Sequence, residues 1–172
     1  MTVGEMSSTT LDNCIRYSRP EDRELSMCFN FHHLKVDYRD GNKWKLMEPD
    51  LVRLKQLFME WQEGMERENG WNAVFWCNHD QPRAISRFGD DGRYWKESAK
   101  MLATVIHMFR GTPYVYQGEE LGMTNPHYVD ISQYRDVESI NYYRILTEQG
   151  ITGEEALKAV SYTHLRAHET EL

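Results

Sequence analysis

Trp71-Asn72-Ala73-Val74-Phe75-Trp76-Cys77 runs directly into Asn78-His79-Asp80-Gln81-Pro82-Arg83, and the reading of this stretch decides the fold. Its first part is aromatic and β-branched, the composition of a buried strand, and the chain then switches at once to polar turn formers and a proline. A strand that stops on His79 and Asp80 carries chemistry at its C-terminal end. Three other stretches read the same way. Thr2-Val3-Gly4-Glu5-Met6 is a short strand ending on Glu5, and Ser26-Met27-Cys28-Phe29-Asn30-Phe31 alternates apolar and polar residues before His32 and His33. Tyr114-Val115-Tyr116 follows Gly111-Thr112-Pro113 and precedes Gln117, Glu119 and Glu120.

Helical periodicity fills the intervals. Ser7-Ser8-Thr9 is suited to cap a helix reaching about Tyr17. After a polar turn at Asp40-Gly41-Asn42, Leu51, Leu54, Leu57, Phe58 and Trp61 recur at helical spacing from Asp50 onward, with Gly64 or Gly70 as the stop. A further helix from about Tyr94 turns Ala99, Leu102, Ala103, Ile106 and His107 or Phe109 inward, and a last one covers about Tyr134 to Glu148. Strands alternating with amphipathic helices specify an α/β fold of parallel βαβ units, about four of them. A doubly wound sheet and a (β/α)₈ barrel share this alternation. Polar residues gathered at strand C-termini suit the active rim of a barrel, and the chain lacks the glycine-rich strand-to-helix loop of a dinucleotide-binding sheet.

Composition narrows the partners. The 172 residues are 40% hydrophobic and 27% charged with a net charge of −7, values of a soluble globular domain. An acidic chain without a long Lys/Arg block has no attraction for phosphate backbones or anionic bilayers, so nucleic acid and membrane partners are not expected. No run approaches a membrane span and the N-terminus lacks a signal-peptide pattern, which predicts a cytoplasmic protein. Cys14, Cys28 and Cys77 lack the spacing of a zinc site or disulfide scaffold and read as buried thiols. No cofactor is implied.

Glu5 and Asp80 are the carboxylates that two strand ends of one barrel would bring across a pocket. Paired carboxylates perform glycoside hydrolysis: one holds a proton for the leaving oxygen, and others stay ionised against an oxocarbenium-like sugar. Strand-end carboxylates also serve as loop caps or solvated charges, and position alone does not separate these roles.

The wording of the motifs does separate them. Thr2–Met6, Asn78-His79-Asp80-Gln81-Pro82-Arg83 and Gly111-Thr112-Pro113-Tyr114-Val115-Tyr116-Gln117-Gly118-Glu119-Glu120-Leu121-Gly122-Met123 resemble, in order, three signatures of the α-amylase superfamily of glycoside hydrolases. Within its oligo-1,6-glucosidase-like branch, Asn13-Cys14-Ile15-Arg16-Tyr17 and Phe31-His32-His33-Leu34-Lys35-Val36-Asp37-Tyr38 are most similar to α-glucosidases that act on a phosphorylated disaccharide. The resemblance implies a partial (β/α)₈ TIM barrel, about the last four strand-helix units, open rather than closed, over residues 1–159. It implies Glu5 as general acid/base, Asp80 as transition-state stabiliser, His79 as hydrogen-bond donor to sugar hydroxyls and Arg83 as a pocket or clamp residue. A phosphorylated substrate needs cationic donors, for which Lys35 leads, with His33 when protonated and Lys43 or Lys45 from the following loop.

The family's nucleophilic Asp stands in an Arg-x-Asp context upstream of the segment matching Glu5, and no Asp here matches it, so this chain alone is expected to be inactive. No metal site is expected either. A half barrel leaves strand edges open and is expected to self-associate. Residues 160–172 form a separate stretch, in which Ser161-Tyr162-Thr163-His164-Leu165-Arg166-Ala167-His168-Glu169-Thr170 resembles translated sequencing-adapter sequence and reads as a non-native tail. Other α-glucosidases of the branch share nearly all these motifs, and non-catalytic relatives serve as interaction ectodomains of transport assemblies.

Overall fold

The computed structural model describes residues 1–161, so most of the expected non-native tail lies outside the described residues. Four parallel strands, β1 (Val3–Met6), β2 (Met27–Asn30), β3 (Asn72–Val74) and β4 (Thr112–Pro113), form one sheet in the order β1-β2-β3-β4. Helices α1 (Leu11–Ser18) and α2 (Leu51–Arg67) connect β1 to β2 and β2 to β3, while α3 (Ala84–Phe88) and α4 (Trp95–His107) lie between β3 and β4. After β4 come α5 (Val137–Glu148) and α6 (Gly153–Val160). The chain divides into two compact units. The first comprises residues 1–41, 46–76 and 103–115 and holds the sheet; the second comprises 42–45, 77–102 and, among the described residues, 116–161. No helix among the described residues is long and apolar enough to cross a membrane.

In the first unit, strand alternation sorts side chains onto two faces. Cys28 packs with Cys14, Ile15, Trp61 and Met65 of α1 and α2, and Met6 joins them, so one face of β1 and β2 is covered by helices. The opposite face carries aromatic rings: Phe29 meets Phe75 at 5.0 Å and Tyr114 at 4.6 Å between centroids, both edge-to-face. Leu54, Leu57, Trp61, Gly64 and Met65 form the buried stripe of α2, as its period requires, but Leu51 stays exposed at the helix start. Asp50 caps this helix by accepting from Arg53 N at 2.9 Å.

Local corrections have physical causes. The cap of α1 is Thr10, whose side chain accepts from Asn13 N, and not the preceding Ser7-Ser8-Thr9. Gly64 does not stop α2; it lies inside the helix, where a Cβ would stand 2.4 Å from Leu11 Cδ2, so its missing side chain lets α1 and α2 approach. β3 is shorter than the Trp71–Cys77 expectation because the Phe75 carbonyl accepts from the His33 ring instead of continuing the ladder. β4 covers Thr112–Pro113, not Tyr114–Tyr116, although Tyr114 N still donates to Val74 O at 2.8 Å. In α4, Ala103 and His107 face solvent and the buried positions are Ser98, Leu102 and Ile106. Helix α3 is too short to show a period, and α5 is not the last helix, since α6 follows it; neither α3 nor α6 is among the expected helices. All three cysteines are free and buried, and Cys14, hydrogen-bonded to Cys28, has its thiol held well above the usual range by that contact and by burial.

Candidate active site

Glu5 stands in β1, in register with Phe29 of β2, one residue before the strand ends at Met6. Strand alternation puts it opposite the Gly4 and Met6 side that meets the helices, on the face that carries the Phe29, Phe75 and Tyr114 rings. Its side chain is exposed, without the apolar enclosure that a general acid requires.

The turn after β2 is fastened to the chain that leaves β1. His32 Nε2 meets the Thr9 carbonyl at 2.7 Å, and exposed Lys35 donates from Nζ to the Ser7 carbonyl at 3.2 Å. The ammonium of Lys35 is therefore held close to the C-terminal end of β1, two residues along the chain from Glu5. His33 points the other way. It is 5% exposed, its Nε2–H donates to the Phe75 carbonyl at 2.8 Å, and its ring is packed by Phe58, Phe75 and Trp76. A ring enclosed by aromatics and bonded to a backbone carbonyl fixes the end of β3.

In the second unit, Asn78 organises the turn that bears His79 and Asp80. Its Oδ1 accepts from Asp80 N at 2.9 Å and its carbonyl accepts from Gln81 N at 3.2 Å, the geometry that an asparagine side chain offers to the backbone two residues on. His79 Nε2 and Asp80 Oδ2 are 3.3 Å apart, with both side chains partly exposed. The segment is then laced to residues 116–125. The Cys77 thiol donates to Glu119 Oε2 at 3.4 Å, and the same oxygen accepts from Tyr116 N at 3.1 Å. Burial first, and the Glu119 carboxylate second, push the Cys77 thiol up to about 12. Arg83 is 7% exposed; its Nη1 donates to the Gln117 carbonyl, its backbone N to Asn125 Oδ1 at 2.7 Å, and its guanidinium lies 4.9 Å from the centroid of the Tyr116 ring. Lys43 is paired with Glu138 at 2.5 Å beside Trp44, which stacks on Tyr142 at 4.1 Å.

The turn beginning at Asn78 is expected from its turn formers, but the hydrogen bond that Asp80 N donates to Asn78 Oδ1 is seen only in the structure. Asn125 and Glu119 act through tertiary contacts that no local pattern reports.

Residues 1–166 match the family described as alpha amylase, catalytic domain. The chain belongs to this family. Its four parallel strands, with their helices, are part of the (β/α)₈ barrel of α-amylase-family structures: the crystal structure of Bacillus licheniformis trehalose-6-phosphate hydrolase superposes with a TM-score of 0.93 at 63% identity, over 95% of this chain and 29% of that one. Trehalose-6-phosphate hydrolase of Bacillus subtilis (strain 168) is 63% identical over 155 residues, 90% of this chain and 28% of its own length. The protein of the same name from Escherichia coli (strain K12) is 60% identical over 157 residues, 91% of this chain and 28% of its length. Oligo-1,6-glucosidase of Bacillus cereus is 47% identical over 161 residues, 93% of this chain and 29% of its length. The chain thus spans less than a third of the relatives it matches. These α-amylase-family relatives are glycoside hydrolases, and the motifs quoted above fall within the matched region.

Proposed function

We propose that this chain is part of a retaining α-glucosidase that hydrolyses trehalose 6-phosphate to glucose and glucose 6-phosphate. The observation that carries the substrate is a step in similarity: 60–63% identity with trehalose-6-phosphate hydrolases against 45–48% with oligo-1,6-glucosidases. In this reading Glu5 protonates the glycosidic oxygen as the bond breaks and later takes a proton from the attacking water. Asp80 stays ionised against the positive charge of the oxocarbenium-like transition state, and His79 donates to a sugar hydroxyl. Arg83 holds the turn that carries both. The substrate phosphate, with a charge of roughly −2, is met by Lys35, whose contact with Ser7 keeps its ammonium beside the end of β1.

No Arg-x-Asp triplet occurs in the sequence, so the chain supplies no nucleophile of the family's kind and is inactive by itself.

A hybrid tests the reading: residues 1–160 replace the matching segment of the Bacillus subtilis enzyme, and trehalose 6-phosphate and an aryl α-glucoside are assayed in parallel. The hybrid is expected to hydrolyse the phosphorylated disaccharide, and the chain alone to turn over neither substrate. Lys35→Ala in the hybrid should raise KM for trehalose 6-phosphate by about 10- to 100-fold, the worth of one charge-assisted hydrogen bond, and leave the neutral glucoside unchanged. Equal loss on both substrates removes Lys35 from the phosphate site. A hybrid that prefers neutral α-1,6-linked glucosides moves the whole assignment to oligo-1,6-glucosidase.

A further inference from the structure

The helix-covered side of β2 and β3 borders a partly open cavity of about 20 Å³, lined mainly by apolar side chains such as Phe58, Trp61 and Ile106. Three amides interrupt that lining: Asn30 at the end of β2, Asn72 in β3 and Gln62 in α2. Asn72 is 2% exposed, and its Oδ1 has no hydrogen-bond partner among the described residues. A buried acceptor left in that condition has lost its hydration without replacement, so it needs a donor that the neighbouring side chains do not supply.

We propose that this cavity is a binding site for one structural water that bridges Asn72 to the amides of Gln62 and Asn30. Its volume exceeds the roughly 10–15 Å³ that a single water requires, and its walls offer the two to four polar partners that hold one. Gln62 binds the Arg110 backbone with both ends of its amide, at 3.1 Å from Nε2 and 2.8 Å to Oε1, and each end retains one further hydrogen-bonding position. Asn30 Oδ1 accepts from His32 N at 3.3 Å, so that contact does not use its amide donor, and Asn30 lines the cavity. Water both donates and accepts, so it satisfies the Asn72 amide in either orientation. The bridge ties β2, β3 and α2 together at a point where strand pairing and helix packing alone leave a polar atom unmatched.

A high-resolution crystal structure of the protein is the direct test. One ordered water within about 3 Å of the Asn72 amide, also bonded to Gln62 or Asn30, is expected. Featureless density in the cavity, or Oδ1 turned onto a protein donor, overturns the proposal. Thermal unfolding of Asn72→Leu gives an independent reading. Losing a held water and its bonds should lower Tm by about 2–4 °C, whereas removing a dry, unmatched acceptor would leave Tm unchanged or raise it, and either of those results overturns the site.

Discussion

Glu5 sits in a regular ladder, in register with Phe29, whereas Asp80 sits in an irregular turn whose N–H is taken by Asn78 Oδ1 at 2.9 Å. The first carboxylate is positioned by backbone pairing, which depends on strand register and on the helices packed behind the sheet. The second is positioned by side chains: Asn78 from within its own turn, and Glu119 and Arg83 through Cys77, Gln117 and Asn125. A strand position tolerates changes in neighbouring side chains as long as the ladder stands. A laced turn does not, because each tie is a separate contact. The two regions should therefore fail differently under mutation.

The largest effects test whether both carboxylates act on one reaction. In the hybrid enzyme, Glu5→Gln should lower kcat by about 10²- to 10⁴-fold, the range of a lost general acid/base, and Asp80→Asn by about 10²- to 10³-fold, as loss of a charge made for the transition state. Steady-state kinetics check both, and a loss confined to KM in either variant breaks the pairing.

Packing behind Glu5 comes next. Gly64→Ala would place a Cβ 2.4 Å from Leu11 Cδ2, and the overpacked contact between α1 and α2 should destabilise the fold by about 1–3 kcal/mol in urea unfolding. Trimming Leu11 to Ala in the same chain should return part of it. Activity of the folded hybrid carrying Gly64→Ala is expected to persist, since the ladder that holds Glu5 remains.

On the other side of the comparison, burial and the Glu119 carboxylate push the Cys77 thiol up to about 12 from an ordinary value of 9.0. A raised folded value means that the unfolded chain loses its proton first, so this contribution to stability is complete below pH 9.0 and is lost as pH rises toward about 12. The difference in unfolding free energy between the unsubstituted chain and Cys77→Ala should fall across that window by up to about 1.4 kcal/mol per pH unit. A flat difference would show that the thiol is not shielded beside Glu119.

Asn78→Ala is the smallest perturbation and the sharpest for the comparison. Losing one side-chain-to-backbone hydrogen bond should cost about 0.5–1.5 kcal/mol of stability, with kcat of the hybrid falling about tenfold as Asp80 loses its fixed place. Thr10→Ala removes a tie of similar size, the cap of α1, at about 0.5–2 kcal/mol, and is expected to leave kcat unchanged. Equal kcat losses in the two variants would erase the distinction between ladder and laced turn.

The sequence by itself determined the order of the four strands and of the long helices between them, the buried stripe of α2, the strand-end placement of Glu5 and the family, because hydrophobic period, turn formers and long motifs are properties of consecutive residues. Lys35 was also legible as a cation beyond β2, although its contact with Ser7 was not. Only the tertiary structure decided that His33 is buried against Phe58, Phe75 and Trp76, that Gly64 is a packing glycine inside α2, that β3 ends where Phe75 gives its carbonyl to His33, and that Glu119 and Asn125 hold the Asp80 turn. Each of these depends on which distant residue occupies the space beside a side chain, and a one-dimensional pattern carries no record of that space.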